Sequence, residues 1–221
     1  MQSESAYAEE EQAKANEEEI KTNEKKDEAE KLAETCKVAL EKAIPALKQA
    51  EEAVKCLKKN HIGEMKAFTS PPPGVVVTCR VVLALLKEKV SPNDPDDKVW
   101  KKAQGLMNQP EKFLDRVLTF NGEDIEQSIL DAVNKIIDDP TKKYNEKDMV
   151  GQSFAASKLC AWSVNIVTFN RIFKEVKPLQ NAEAKAQEEL KVAMEELAKV
   201  KEEVRKLNEM VANLREKLAS A

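Results

Sequence analysis

The sequence contains little glycine, few aromatic residues and a single histidine. Its 221 residues include 5 Gly and 1 His, and 5% of them are aromatic. Proteins on average contain about 7% Gly, and sheets, sandwiches and barrels need many turn glycines, so we expect an all-α fold. No secretory signal follows Met1, because the sequence turns acidic at once. The most apolar run, 75–86, is interrupted by polar residues and is too short to span a membrane.

The sequence also lacks the residue patterns of common enzymes. It has neither the glycine pattern of a P-loop nor that of a dinucleotide-binding site. His61 has no nucleophile or orienting group at a suitable spacing, so we predict no catalytic residue. The cysteines are far apart and form no C-x-x-C pair, so we predict no metal site and no cofactor. We expect them to be reduced and mostly packed thiols of an intracellular protein; they are Cys36, Cys56, Cys79 and Cys160.

Charged residues make up 34% of the chain, and towards its C-terminal end they flank a heptad repeat. Glutamates and lysines there recur at the i,i+4 spacing that stabilises helices, as in 195 with 199 and 202 with 206. Apolar residues alternate at steps of three and four, which predicts a coiled-coil helix over 178–221. They are Leu179, Ala182, Ala186, Leu190, Ala193, Leu197, Val200, Val204, Leu207, Val211, Leu214 and Leu218.

A second seam with similar steps predicts a coiled-coil helix over 1–58. Upstream of Leu32 this seam fades, where Ile20 is the large aliphatic residue that remains. Pro45 and Pro178 interrupt the regular helices, and each is either a tolerated kink or helix start, or a hinge. The second seam consists of Leu32, Cys36, Leu40, Ala43, Leu47, Ala50, Val54 and Leu57.

The middle region, 59–177, has globular rather than heptad spacing and holds every Phe and both Trp. We predict helices at 74–90, 98–108, 111–118, 123–137 and 146–176, around a core that includes Trp100, Phe154 and Trp162. Two heptad arms flank this region. The simplest arrangement is therefore a long antiparallel intramolecular coiled coil capped by a small globular helical domain.

Basic residues cluster where the N-terminal arm enters the middle region, at Lys55, Lys58, Lys59, His61 and Lys66. If the helix is continuous there, the lysines at 55, 59 and 66 share one face within about 40°. The cluster is either an ordinary solvated surface or a face for an acidic partner. A nucleic-acid partner is not predicted, because the sequence pI is about 5.4.

Three stretches of the sequence resemble the stalk and microtubule-binding domain of dynein heavy chains. They are KKNHIGEMK at 58–66 followed by PPPGV at 71–75, FLDRVL at 113–118 leading to DI at 124–125, and SFAASKLCAW at 153–162 ending in VKPL at 176–179. The resemblance implies a non-catalytic stalk that binds the tubulin of microtubules and belongs to an ATP-driven motor whose ATPase ring is not in this chain. It also implies that Pro45 and Pro178 are hinges at the boundary of the tip.

The resemblance further implies a set of microtubule-binding residues on the first tip helix (61–69), the helix near 104–109 and the start of the last helix (147–153). Cytoplasmic members have arginines near Asn108 and Gly151, which this sequence lacks, so lysines elsewhere are expected to compensate. The loop 91–98 and the run 70–77 favour the axoneme of a cilium or flagellum over the cytoplasm. The implied residues are Lys59, His61, Met65, Lys66, Lys101, Lys102, Asn108, Lys147 and Gln152.

The small residues of the seams suggest how such a stalk could transmit a signal. Small seam residues leave alternative registers close in energy, and a shift of half a heptad moves one helix by about 6 Å. We therefore expect sliding between registers to relay changes of microtubule affinity. The alternative function is a dimeric coiled-coil scaffold with a protein-binding helical tip, which predicts a dimer where the stalk predicts a monomer.

Overall fold

The computed structural model describes residues 2–221, and no strand occurs within that range. The all-α prediction is therefore confirmed. The helices are α1 (Gln2–Lys55), α2 (Lys59–Lys66), α3 (Pro73–Leu85), α4 (Asp96–Met107), α5 (Pro110–Leu118), α6 (Gln127–Ile137), α7 (Glu146–Met149) and α8 (Phe154–Ala219), with a 3₁₀ turn at Pro140–Lys142.

Several helix boundaries differ from those predicted. α3 ends at Leu85 rather than at residue 90, and α6 begins at Gln127 rather than at residue 123. The predicted helix 146–176 is divided into α7 and α8 by the turn at 150–153, and α8 then continues beyond residue 176. α1 ends before α2 begins, so Lys55 does not share a helical face with the lysines of α2.

Contacts divide the chain into two compact units. Unit 1 consists of residues 1–38 and 176–221, and unit 2 consists of residues 39–175. The division near residue 176 lies close to the predicted domain boundary at 177/178. On the N-terminal side, residues 39–58 pack in unit 2, although the heptad pattern had placed them in the arm.

Unit 1 is an antiparallel pair of helices formed within one chain. Ser5 lies beside Arg215 (3.2 Å between Oγ and Nη2), and Glu19 forms an ion pair with Lys201 (2.9 Å). Residue numbers therefore increase along α1 while the numbers of their partners in α8 decrease, so the two helices are antiparallel. The buried residues of α1 in this unit recur at intervals of seven, as a heptad requires; they are Ala8, Ala15, Thr22, Ala29 and Cys36.

The pairing continues farther along α1 than the aliphatic pattern indicated, because its upstream contacts are made by small residues. Ile20, the large residue there, is 60% exposed. In α8, Ala182 is exposed and the half-buried Glu183 takes the inner position near Cys36; burial first, and the neighbouring Glu183 second, raise the pKa of the Cys36 thiol. Leu214 and Leu218 are also exposed, so the seam prediction is wrong at Ala182, Leu214 and Leu218.

Unit 2 has a core of large side chains contributed by every helix from α2 to α8. Trp162 is 2% exposed and meets Phe120 edge to face, with ring centroids 5.5 Å apart. The end of α1 joins this unit mostly through small residues: Ala43 and Ala46 pack on Phe169 of α8, and Ala50 and Val54 lie in the main core. The apolar side chains buried in unit 2, residues 39–175, are sufficient for a domain of this length to fold around one core.

Two buried polar side chains of unit 2, Tyr144 and Ser163, are hydrogen-bonded to each other. The Tyr144 and Ser163 hydroxyls are 2.7 Å apart, and burial raises the pKa of Tyr144 well above its usual value. Burial also raises the pKa of the Cys79 and Cys160 thiols to about 12. These thiols therefore stay protonated and unreactive near neutral pH.

The two prolines singled out in the sequence lie inside continuous helices. Pro45 is within α1 and Pro178 is within α8, and both are exposed. A proline inside a helix removes one backbone hydrogen bond, so each marks a locally weakened point in its helix. No helix within residues 2–221 has the length and apolar character needed to cross a membrane.

Candidate functional site

The short helix α2 presents a basic face to solvent because its apolar residues all point inwards. Ile62 and Met65 are 0% and 1% exposed, whereas Lys59, Gly63 and Lys66 follow one another at steps of four and three along the outer side. The helix begins where the backbone N–H of residue 58 donates a 3.0 Å hydrogen bond to Nδ1 of His61. This bond is the part of a capping box in which the side chain of the third helical residue accepts from the N–H of the capping residue.

His61 also connects α2 to the start of α8. Its ring lies against the ring of Phe154, with centroids 4.6 Å apart. Phe154 is 39% exposed, so its predicted place in the core is wrong. The Lys158 ammonium lies 5.6 Å from the centroid of the same ring and forms a 2.7 Å ion pair with Glu146 of α7. This hydrogen bond to Glu146 raises the pKa of Lys158.

The sequence did not predict the surface position of Phe154 or its contact with Lys158. Their i,i+4 spacing at the start of a helix is the signal that could have identified them, because residues four apart face the same side. Phe154 was instead assigned to the core by its apolar character. The structure joins α7, α8 and α2 through this cluster of His61, Phe154, Lys158 and Glu146.

Helix α4 is held against the end of α2 by two side-chain hydrogen bonds. The Trp100 indole N–H donates to the Phe68 carbonyl (3.3 Å), and the Gln104 amide donates to the Lys66 carbonyl (3.0 Å). Lys101 and Asn108 remain exposed on α4 and at its C-cap. The Lys102 ammonium, by contrast, is hydrogen-bonded to the Lys89 carbonyl.

The segment before α8 carries two further predicted residues, Lys147 and Gln152. α7 is capped by Asn145, whose side-chain oxygen accepts a 2.8 Å hydrogen bond from the backbone N–H of Asp148. Lys147 is exposed on this helix. Gln152 is half-buried, and its side-chain oxygen accepts a 2.8 Å hydrogen bond from the backbone N–H of Gly74.

The predicted contact residues therefore have different environments. Met65 is buried in the core, so it supports α2 from beneath and does not form part of the surface, contrary to the expected direct contact. Lys102 and Gln152 make internal hydrogen bonds. Lys59 forms an ion pair with Glu111 of α5. No ion pair within residues 2–221 involves the remaining lysines, which are Lys66, Lys101 and Lys147.

We call Lys59, Lys66, Lys101 and Lys147 the basic face. α2 contacts α4 through the Gln104–Lys66 hydrogen bond and α8 through the His61–Phe154 rings, and α8 contacts α7 through the Lys158–Glu146 ion pair. The four lysines thus lie on elements of unit 2 that are connected by these contacts. Their charges attract an acidic surface. Within residues 2–221 no group of three or more His, Cys, Asp or Glu is arranged to hold a metal ion.

Comparisons with known proteins agree with this structure. A family model described as the microtubule-binding stalk of dynein motor matches residues 2–221. A ciliary dynein beta chain of Tripneustes gratilla is 38% identical over 158 residues, covering 71% of this chain and 3% of that protein. The human dynein axonemal heavy chain 9 is 35% identical over 158 residues, covering 72% and 3%. A flagellar outer-arm alpha chain of Chlamydomonas reinhardtii is 34% identical over 165 residues, covering 71% and 3%.

A solved structure also shows similarity to a dynein microtubule-binding domain. The chain described as the microtubule-binding domain of dynein-c superposes with a TM-score of 0.53 at 25% identity, covering 65% of this chain and 94% of that one. The present chain spans only about 3% of the length of the relatives named above. Because the family model matches all the described residues, the resemblance seen in the sequence is confirmed, and the chain belongs to the family of microtubule-binding stalks of dynein motors.

Proposed function

We propose that unit 2 binds the surface of a microtubule through the basic face, as the non-catalytic binding element of an axonemal dynein. The observation that carries this proposal is a set of solvent-accessible lysines without internal ion-pair partners, the exposed Lys101 and Lys147 and the half-buried Lys66. Tubulin presents an acidic surface, so these charges steer association and contribute contacts once the two surfaces meet.

The other predicted residues support this face in different ways. His61 fixes the start of α2 and holds it against Phe154 of α8. Met65 anchors α2 in the core. Gln152 fixes the turn before α8 to the start of α3. Asn108 is exposed at the end of α4 and offers a neutral polar contact at a position where cytoplasmic relatives are expected to have a charged one.

The test is cosedimentation of the chain with microtubules over a series of salt concentrations. A variant with Lys66→Gln, Lys101→Gln and Lys147→Gln is expected to bind about tenfold more weakly, since exposed ion pairs contribute about 0.5 kcal/mol each. Binding of the unaltered chain should weaken steeply as salt is added. The matched control is Lys135→Gln, an exposed lysine on α6. Binding that is insensitive to both salt and the triple substitution contradicts the proposal.

We further propose that unit 1 relays changes of affinity between unit 2 and the ATPase ring of the parent motor by sliding of its register. Support comes from the small residues that recur along α1, since these restrict the register less than large ones do. Because coupling is reciprocal, microtubule binding must bias the register as strongly as the register biases binding. Pro45 and Pro178 are the proposed hinges.

Within unit 2, the two long helices are attached differently, which favours α1 as the helix that moves. Asn170 of α8 donates a 2.9 Å hydrogen bond to the Gly122 carbonyl, and Arg171 donates a 2.7 Å hydrogen bond to Asn134 of α6. The end of α1 instead packs through apolar residues, most of them alanines, which include Ala43, Ala46, Ala50, Ala53 and Val54. Directional hydrogen bonds resist a shift along the helix axis more strongly than contacts between small apolar residues.

The names of the relatives place the proposed motor in the axoneme of a cilium or flagellum rather than in the cytoplasm. The dimeric scaffold receives less support, because Glu19 and Lys201 pair within one chain, so the two arms already contact each other. The stalk proposal therefore predicts a monomer by light scattering. We propose no nucleic-acid or membrane partner.

A further inference from the structure

The glycines of this chain fall into two groups that differ in what surrounds them. A Cβ added at Gly74 would lie 2.5 Å from Oε1 of Gln152, and one added at Gly122 would lie 2.7 Å from Cδ1 of Ile166. Close internal packing therefore explains why glycine occupies these two positions. At Gly63, Gly105 and Gly151 the added Cβ would meet nothing within 4 Å.

The backbone conformation does not explain why glycine occupies positions 63, 105 and 151 either. Glycine is needed where φ is positive, but no glycine within residues 2–221 has a positive φ. Gly63 lies in α2 and Gly105 lies in α4, and glycine inside a helix is less stable than alanine. Nothing inside the fold thus requires glycine at these three positions, and at two of them glycine weakens the fold.

Each of the three glycines follows an exposed lysine of the basic face by four residues. The pairs are Lys59 with Gly63 in α2, Lys101 with Gly105 in α4, and Lys147 in α7 with Gly151 in the turn after it. In the two helices, this spacing places the glycine beside the lysine on the same side. The repetition on three neighbouring elements connects the glycines to the basic face.

We propose that Gly63, Gly105 and Gly151 are the points where the microtubule surface comes closest to the backbone of unit 2. Glycine permits such an approach because no side chain separates the two surfaces. The lysine preceding each glycine is long enough to reach past the contact to an acidic group. This inference rests on the proposed function, and it assigns these glycines a role in binding that opposes their effect on stability.

The test is to measure stability and microtubule affinity on the same variants. Gly63→Ala and Gly105→Ala are each expected to raise the thermal midpoint by about 2–4 °C and to weaken microtubule binding about threefold, because the added Cβ holds the surfaces apart. Gly63→Gln, Gly105→Gln and Gly151→Gln are expected to weaken binding at least tenfold. The matched control is Ser128→Gln at an exposed position of α6, which should leave binding unchanged.

The salt series separates this inference from the charge-based proposal. All the glycine variants keep their lysines, so their affinity should fall with salt as steeply as that of the unaltered chain. Variants that bind microtubules as tightly as the unaltered chain would overturn the role of the glycines and leave the proposed function standing. A lower thermal midpoint for Gly63→Ala and Gly105→Ala would also overturn it, since the fold would then require these glycines. An unaltered chain that fails to bind microtubules overturns both proposals.

Discussion

The two units bury their apolar residues in contrasting ways. Along α1, unit 1 buries small residues at intervals of seven, including Ala8, Ala15 and Ala29. Unit 2 buries large ones, including Trp162 and Ile166. Large side chains that interlock fit one arrangement, whereas a line of small residues makes similar contacts after a shift. The contrast suggests that unit 1 has a loosely specified register, while unit 2 has a tightly specified fold.

The contrast also predicts different local stabilities. Proteins open locally with free energies that range from near zero to the full free energy of unfolding. A helix pair with few large buried contacts opens more easily than a domain with one continuous core. The free cysteines report on this difference, because Cys36 lies in unit 1, Cys79 and Cys160 lie in the core of unit 2, and Cys56 is exposed.

Thiol labelling at pH 8 should therefore proceed in three separate phases. Cys56 is expected to react first, and Cys36 is expected to react next, through local opening of unit 1. Cys79 and Cys160 are expected to react about 100-fold more slowly than Cys36, since only unfolding of unit 2 exposes them. Burial raises the pKa of both core thiols to about 12, so their reactive thiolate is scarce at pH 8 in the folded state.

Mass spectrometry of labelled peptides measures the three rates directly. Repeating the experiment in enough urea to unfold the chain is the control, because all four rates should then become similar. Equal protection of Cys36, Cys79 and Cys160 in the folded state would contradict the proposed difference between the units.

Disulfides that fix the register of unit 1 should change microtubule affinity. Glu183 lies near enough to Cys36 to raise the pKa of its thiol, so Glu183→Cys allows a disulfide in the register seen here. Leu179→Cys and Gln187→Cys lie four residues away in either direction and allow disulfides in shifted registers. Coupling between distant sites is typically 1–3 kcal/mol, so the oxidised forms are expected to differ about tenfold or more in their dissociation constants.

The register variants are best made in a chain that also carries Cys56→Ser, because the exposed thiol could otherwise form unwanted disulfides. The reduced form of each variant is its own control and should bind like the unaltered chain. If all three oxidised forms bind microtubules equally well, sliding of unit 1 does not transmit affinity.

The sequence predicted the fold class and the heptad arms well, because alternating steps of three and four constrain a helix pair strongly. It missed the pairing upstream of Leu32, since alanine and threonine carry little hydrophobic signal even where they are buried. It also placed the inner position at Ala182 rather than at Glu183. A half-buried glutamate cannot be distinguished from a solvated one until its partner, Cys36, is known.

The candidate site was predictable in its location but not in the function of each residue. Lys101 and Lys147 are exposed, as the sequence suggested, whereas Lys66 is half-buried. The internal hydrogen bonds of Lys102 and Gln152 join residues distant in sequence, so no local pattern indicates them. For the same reason the contact between His61 and Phe154 could not be derived from residue spacing.

The smallest expected effect is a change in stability at the end of α3. It tests whether packing in unit 2 holds the backbone there in a strained conformation. The helix ends where the Glu88 N–H bonds to the Leu83 carbonyl (2.9 Å) and the Lys87 N–H bonds to the Ala84 carbonyl (3.1 Å). Lys87 adopts φ 59° at the position where glycine is usual. No glycine marks this end in the sequence, which is why the helix was predicted to continue to residue 90.

Lys87→Gly is expected to stabilise unit 2 by about 0.5–1 kcal/mol, because glycine adopts this conformation without the steric cost that a side chain adds. The ion pair that is lost, with Glu126 at 3.8 Å, is exposed and contributes little. Lys89→Gly is the matched control, since Lys89 is exposed and its φ is not positive; it should give no gain. Urea unfolding measures both variants, and equal stabilities would show that packing in unit 2 does not hold Lys87 under strain.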